Sequence, residues 1–177
     1  VEYYSKTNDG RPFVKKNFFE DPTQFQSDFL KFAQVADMYI ACHYWDSRAP
    51  FIYTREDIRD KNWKISMVAD VSCDIDCAVA STIRPSTIAD PFYGYNKSSE
   101  SEDNFMNKDV VGVMAVDNLP CELPKDASVD FGQMFIDHVL EPLIGNDPDN
   151  IIWRASQTKD GNLTPHFNYL ENYVKGV

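Results

Sequence analysis

MYIACHYWD (38–46), KISMVADVSCDID (64–76) and VVGVMAVDNLP (110–120) decide the fold of this chain. Each opens on a short apolar run with almost no polar break, and each then turns polar at residues capable of chemistry. A continuous apolar run of this length fits a strand covered on both faces, as in a parallel sheet. Between the first two runs, Thr54 can cap a short helix through Ile58. Before them, Asp21-Pro22-Thr23 reads as a helix start, followed at helical spacing by Phe25, Phe29, Leu30, Phe32, Ala33 and Ala36. Helix–strand–helix–strand is the order of an α/β sheet with parallel strands, whose ligands sit beyond the carboxyl ends of the strands.

Farther out the signals weaken. Val1 to Asn8 reads as a short strand, Asn8-Asp9-Gly10 as a turn, and Phe13 to Phe19 as a second strand. Ala80 to Asn96 reads as irregular, and the polar stretch Lys97 to Lys108 as an exposed, mobile loop. A long helix is expected from about Ala127 to Ile144, its apolar face built from Val129, Phe131, Phe135, Ile136, Val139, Leu140 and Leu143, and ended by Gly145. A strand around Ile151 to Ala155, a turn at Lys159-Asp160-Gly161 and a helix from Thr164 to Val174 complete the chain.

The 177 residues suffice for a real core, and 43% hydrophobic with 25% charged residues is ordinary for a globular protein. Against 17 Lys plus Arg stand 28 Asp plus Glu, a formal charge of −11. That surface repels phosphate backbones, so a nucleic-acid partner is not expected. A nucleotide cofactor stays open, because backbone amides and helix N-termini hold phosphates without net charge. No apolar run is long enough to span a bilayer, so no membrane partner is expected either, and with no secretory pattern the four cysteines read as reduced thiols of a cytoplasmic protein. The high aromatic share, 14%, suits a well-filled core or a homodimer interface.

The strand-end clusters are Cys42-His43-Tyr44, Asp70-Val71-Ser72-Cys73-Asp74 and Asp117-Asn118-Leu119-Pro120. On parallel neighbours all three open onto one crevice, where a carboxylate can hold an ammonium and an Asn can pair with a carboxamide. Plainer roles compete with these. His43 could satisfy a neighbouring backbone group, Asp70 could make a buried structural hydrogen bond, and Asp117-Asn118 could be turn chemistry. Cys73 and Cys77, with Asp74 and Asp76 around them, lack a second ligand pair at zinc spacing, so no metal site is expected. Ser-His-Asp catalysis lacks its nucleophile elbow.

Taken together, residues 38–74 and VMAVDNLPCELPKDAS (113–128) resemble the later part of the cofactor domain of saccharopine dehydrogenases. They are similar too to the lysine–oxoglutarate reductase part of bifunctional lysine-degrading enzymes and, more distantly, to alanine dehydrogenase. The paired signature V-A-D-V-S-x-D and V-D-N-L-P-x-x-L-P-x-x-A-S carries the resemblance, which extends over most of the chain from about Phe25. It implies a partial Rossmann-like parallel sheet with flanking helices in residues 1–126. Residues 127–177 would be a long connecting helix and a small strand–helix unit of the substrate domain. It implies an NAD- or NADP-dependent oxidoreductase moving hydride between nicotinamide and an amino acid or its imine, with an amino acid or 2-oxo acid as substrate. Cys42, His43, Asp117, Asn118 and Leu119 fall where such enzymes approach the cofactor, and Asp74 on the aspartate beside nicotinamide and substrate.

The departure from that pattern is equally physical. Among seven glycines there is no G-x-G-x-x-G, the loop that lets backbone approach a pyrophosphate. The chain therefore reads as a fragment, or a degenerate relative, of the enzyme, inactive alone and binding the cofactor weakly or not at all. The rival readings are a non-catalytic binding or assembly module that keeps half of the fold, and a metal-dependent hydrolase using Asp70, Asp74, Asp76 and His43.

Overall fold

The computed structural model describes residues 1–176. The chain divides into two compact units, Val1–Glu122 and the part from Leu123 onward. In the first, β1 (Ser5–Thr7) pairs antiparallel with β2 (Phe25–Ser27), and α1 (Lys15–Glu20) lies between them in sequence. The five-stranded sheet has the order β3 (Met38–Ala41), β4 (Met67–Asp70), β7 (Val110–Met114), β5 (Phe92–Asn96), β6 (Ser101–Asp103). Strands β3, β4 and β7 are parallel, as their apolar runs predict, while β5 and β6 extend the sheet antiparallel. The result is a mixed α/β sheet with flanking helices, in keeping with a partial Rossmann-like fold.

One face of the sheet carries the core. Val68, Val111, Val113 and Tyr95 are wholly inaccessible, and alternate residues of each strand point there. An aromatic cluster fills the space above: Tyr53 stacks on Phe29 at 5.7 Å and meets the edge of Trp63 at 5.0 Å. The helix α3 (Arg55–Ile58) starts as expected, on a capping box in which Thr54 and Asp57 satisfy each other's backbone amides. The expectation of strands covered on both faces fails at β3. Its alternate residues Met38 and Ile40 are 55% and 58% exposed, and β3 is an edge strand of the sheet.

Four local readings are corrected. Residues 13–19 form no strand; in helical form, α1 sets Phe18 edge-on to Phe25 at 5.1 Å. The helix expected after Asp21 starts as a 3-10 turn (Pro22–Gln24) capped by Asp21 but is interrupted, since the residues from Phe25 to Ser27 bond to β1, and it resumes only as α2 (Leu30–Ala33). The segment read as irregular contains β5, and the segment read as a mobile loop contains β6. Asn96 ties that hairpin, its Oδ1 accepting from the amides of Ser98 and Ser99 and its Nδ2 donating to Asp103 at 3.0 Å.

The second unit begins with the long helix, continuous from Pro124 through Ile144 as α4 (Pro124–Phe135), a π turn (Ile136–Leu140) and α5 (Glu141–Ile144). The π turn ends just before Pro142, whose ring excludes the ordinary bond to the preceding turn. Ile151–Ala155 is a helix, α6, where a strand is expected from its composition. Asp147 decides this: its carboxylate accepts from the amides of Ile151, Ile152 and Trp153 at 2.6, 2.9 and 3.2 Å. A hairpin of β8 (Thr158–Lys159) and β9 (Asn162–Leu163) and a final helix α7 (Glu171–Lys175) complete the unit.

Candidate functional site

The parallel register sets the three strand ends level. Ala41 pairs with Asp70, and Ala69 with Met114, so the residues beyond each strand emerge along one edge. The turn after β4 is held tightly there. The amides of Val71 and Ser72 both donate to the carbonyl of Ala41, at 2.9 and 3.2 Å. Cys73 and Asp76 adopt left-handed backbone, with φ of 54° and 51°, which costs energy for a residue with a Cβ and persists only where surrounding bonds hold it.

Asp70 supplies that restraint. Its side chain is inaccessible to solvent, yet both oxygens are used: Oδ1 accepts from Ser72 Oγ at 2.9 Å and the Cys73 amide at 3.1 Å, Oδ2 from Thr82 Oγ1 at 2.7 Å. A buried carboxylate with three donors is a structural anchor. A metal-dependent hydrolase is therefore disfavoured, since Asp70 is occupied and Asp76 is bound by Arg55 at 2.7 Å. Among the described residues no three His, Cys, Asp or Glu side chains form a metal-holding group.

The remaining strand-end residues are more open. Cys42, Asp74, Asp117 and Asn118 are exposed, and the side chains of Asp74, Asp117 and Asn118 make no hydrogen bond among the described residues. Cys73 reaches across, its Sγ donating to the Ala115 carbonyl at the end of β7, at 3.1 Å. Burial pushes this thiol above its ordinary range, and Asp70, Asp117 and Asp74 push in the same direction. His43 is held below its ordinary range by burial, against the opposing pull of Asp70 and Asp74. Asp74 thus acts on both neighbouring strand ends, and Asp117 on the same thiol. Leu119 goes elsewhere, lining a hollow on the open sheet face with Met38, Met67 and Met114.

Sequence reasoning missed Thr82, which lies twelve residues from the carboxylate it serves, and Tyr93, whose hydroxyl donates to the Ser81 carbonyl and accepts from the Ile83 amide. Both fall in the stretch read as irregular. Only the alternation of Tyr93 with Tyr95 hinted at a strand there.

No protein-family model matches the chain. A curated relative from Arabidopsis thaliana, alpha-aminoadipic semialdehyde synthase, is 28% identical over 172 residues, which takes in 93% of this chain. The mitochondrial alpha-aminoadipic semialdehyde synthases of Mus musculus and Rattus norvegicus are each 23% identical over 153 residues, or 72% of the chain. Its homologues are alpha-aminoadipic semialdehyde synthases. They are of the lysine–oxoglutarate reductase/saccharopine dehydrogenase type that the strand-end signature resembles. The match is partial, for the chain spans 16% of the length of each of these alpha-aminoadipic semialdehyde synthases. No helix among the described residues is long and apolar enough to cross a membrane.

Proposed function

We propose that this chain is the carboxyl-side part of the cofactor-binding fold of an amino-acid oxidoreductase of the lysine–oxoglutarate reductase/saccharopine dehydrogenase type. The observation that supports this reading most is the convergence of three parallel strand ends, with the Cys73 thiol reaching from the turn after β4 to the Ala115 carbonyl beyond β7 at 3.1 Å. The homology of the chain to alpha-aminoadipic semialdehyde synthases supports the same class of enzyme.

In this reading the crevice takes the nicotinamide end of NAD or NADP and the amino group of the substrate. A bound nicotinamide supplies the hydride chemistry. The charged side chains that act on Cys73 are all acidic, which suits a pyridinium ring or a substrate ammonium and repels a pyrophosphate. Asn118, exposed and unpartnered among the described residues, offers donor and acceptor to a carboxamide. Asp74 holds the substrate ammonium beside the ring, while Cys42 and His43 bring the β3 end against the cofactor. The phosphate anchor lies outside these residues, so the chain alone binds the whole cofactor weakly and turns nothing over. The long helix and the residues after it belong to the substrate domain. The compartment is a reducing one, cytoplasmic or mitochondrial as the names of the mouse and rat relatives have it, and all four thiols are free.

Titrating the isotope-labelled chain with nicotinamide mononucleotide tests the site without the missing phosphate loop. Amide shifts at Cys42, His43, Asp74 and Asn118 are expected to saturate together. Shifts confined to other surfaces, or none at millimolar ligand, would reject the crevice. An assay with lysine, oxoglutarate and reduced cofactor is expected to show no turnover by this chain.

A further inference from the structure

A cavity of about 390 Å³ lies between α1 and the segment after β3, lined among others by Lys15, Phe18, Phe19, His43, Tyr44 and Trp45. Its size is that of a site for a one-ring molecule. The walls are aromatic, and Trp45 is fixed in place, its indole N–H donating to the Pro50 carbonyl at 3.3 Å and its ring edge-on to Phe51 at 5.5 Å.

The charges around the cavity are unusual for a chain of net charge −11. The carboxylate in the lining is Asp46, and Arg48 holds both of its oxygens, Nε on Oδ1 at 3.1 Å and Nη2 on Oδ2 at 2.8 Å. Lys15 makes no ion pair among the described residues, and its ammonium stands 5.8 Å from the centre of the Phe19 ring. The amino group of Val1, which also lines the cavity, is likewise without an ion pair among the described residues, so the lining carries two uncompensated cations and no free anion. His43 adds a polar group that lacks a partner among the described residues: its Nε2 is shielded from solvent and makes no hydrogen bond to them, a state native structures rarely leave unanswered.

We propose that this cavity binds a small organic carboxylate with a flat apolar body, its carboxylate on Lys15, its ring between Phe18 and Trp45, and an oxygen substituent within reach of His43 once the imidazole turns toward it. The proposal goes beyond the nicotinamide crevice and needs no nucleotide. The two readings fail separately, because one is reported at Asp74 and Asn118 and the other at Lys15 and Trp45.

Fluorine NMR with para-trifluoromethylbenzoate as probe tests it. The benzoate should bind saturably, para-trifluoromethylbenzamide about tenfold more weakly, and para-trifluoromethylbenzylamine more weakly still, since a charge-assisted bond to an ammonium is roughly twice as strong as a neutral one. Lys15→Gln, a change at an exposed side chain, should weaken benzoate several-fold toward the benzamide level without moving the unfolding temperature, the Val1 amino group retaining part of the charge. The proposal is overturned if the three probes bind equally, if Lys15→Gln leaves benzoate affinity unchanged, or if no probe saturates at millimolar concentration.

Discussion

The hydroxyl of Thr82 donates to Asp70 Oδ2 at 2.7 Å, joining the end of β4 to a segment twelve residues away and away from solvent. This bond, with those from Ser72 and Cys73, satisfies both oxygens of the buried Asp70 side chain. Removing Asp70 orphans three donors. Asp70→Ala should therefore destabilise the first unit by about 3 kcal/mol or more, and Thr82→Val by about 1–3 kcal/mol. In a double-mutant cycle the two losses should fall well short of adding. Urea unfolding of the four proteins checks this, and full additivity would deny that the two groups act on each other.

His43 should make the fold sensitive to acid in a particular window. Burial lowers its folded-state pKa, while Asp70 and Asp74 oppose and the amino terminus assists. The unfolded state then binds the proton more readily, so stability is full above the ordinary imidazole value of about 6.5 and falls as the pH drops through it toward the folded value. The carboxylates held low, among them Asp46 at about 2, give up their contribution only in stronger acid. Unfolding temperature against pH should show a shallow decline beginning near neutrality. His43→Gln should flatten that part and leave the acid limb in place.

Gly94 sits where the antiparallel pair β5–β6 closes. A Cβ on it would stand 2.9 Å from the Asp103 carbonyl oxygen and 3.0 Å from the backbone of Asn104. Neither neighbour is a flexible side-chain end, so the strands must separate. Gly94→Ala is expected to cost about 1–3 kcal/mol, with faster amide exchange at Ser101–Asp103 before the parallel strands are affected.

The parallel half of the sheet is legible in the sequence because three apolar runs are self-contained signals: each is apolar by its own composition, even where β3 leaves one face open, and each stops at polar residues. The elements that escape depend on partners remote in sequence. Phe25 to Ser27 has helical spacing but becomes a strand, since Ser5–Thr7 offers it a ladder. Ile151 to Ala155 has the composition of a strand but becomes a helix, since Asp147 satisfies three amides at its start. For the strand ends the same division holds. Asp70 is foreseeable as a structural hydrogen-bonding group, while Thr82 is invisible, because nothing local marks it as a donor to a carboxylate across the sheet.

Cys73 offers a direct measure of whether the strand ends meet. Its thiol is raised first by burial and then by Asp70, Asp117 and Asp74. Two of these, Asp74 and Asp117, are exposed and come from different strand ends, so each can be neutralised with little harm to the fold. In a chain whose other cysteines are serine, the pH dependence of alkylation by iodoacetamide reports the Cys73 thiolate. Asp117→Asn and Asp74→Asn should each shift that profile to lower pH, and the double variant further, while burial keeps the thiol above its ordinary range. Because the effect crosses solvent, it should shrink in high salt. A profile that ignores Asp117→Asn would mean that the end of β7 does not face the turn after β4, and the proposed nicotinamide crevice would lose one wall.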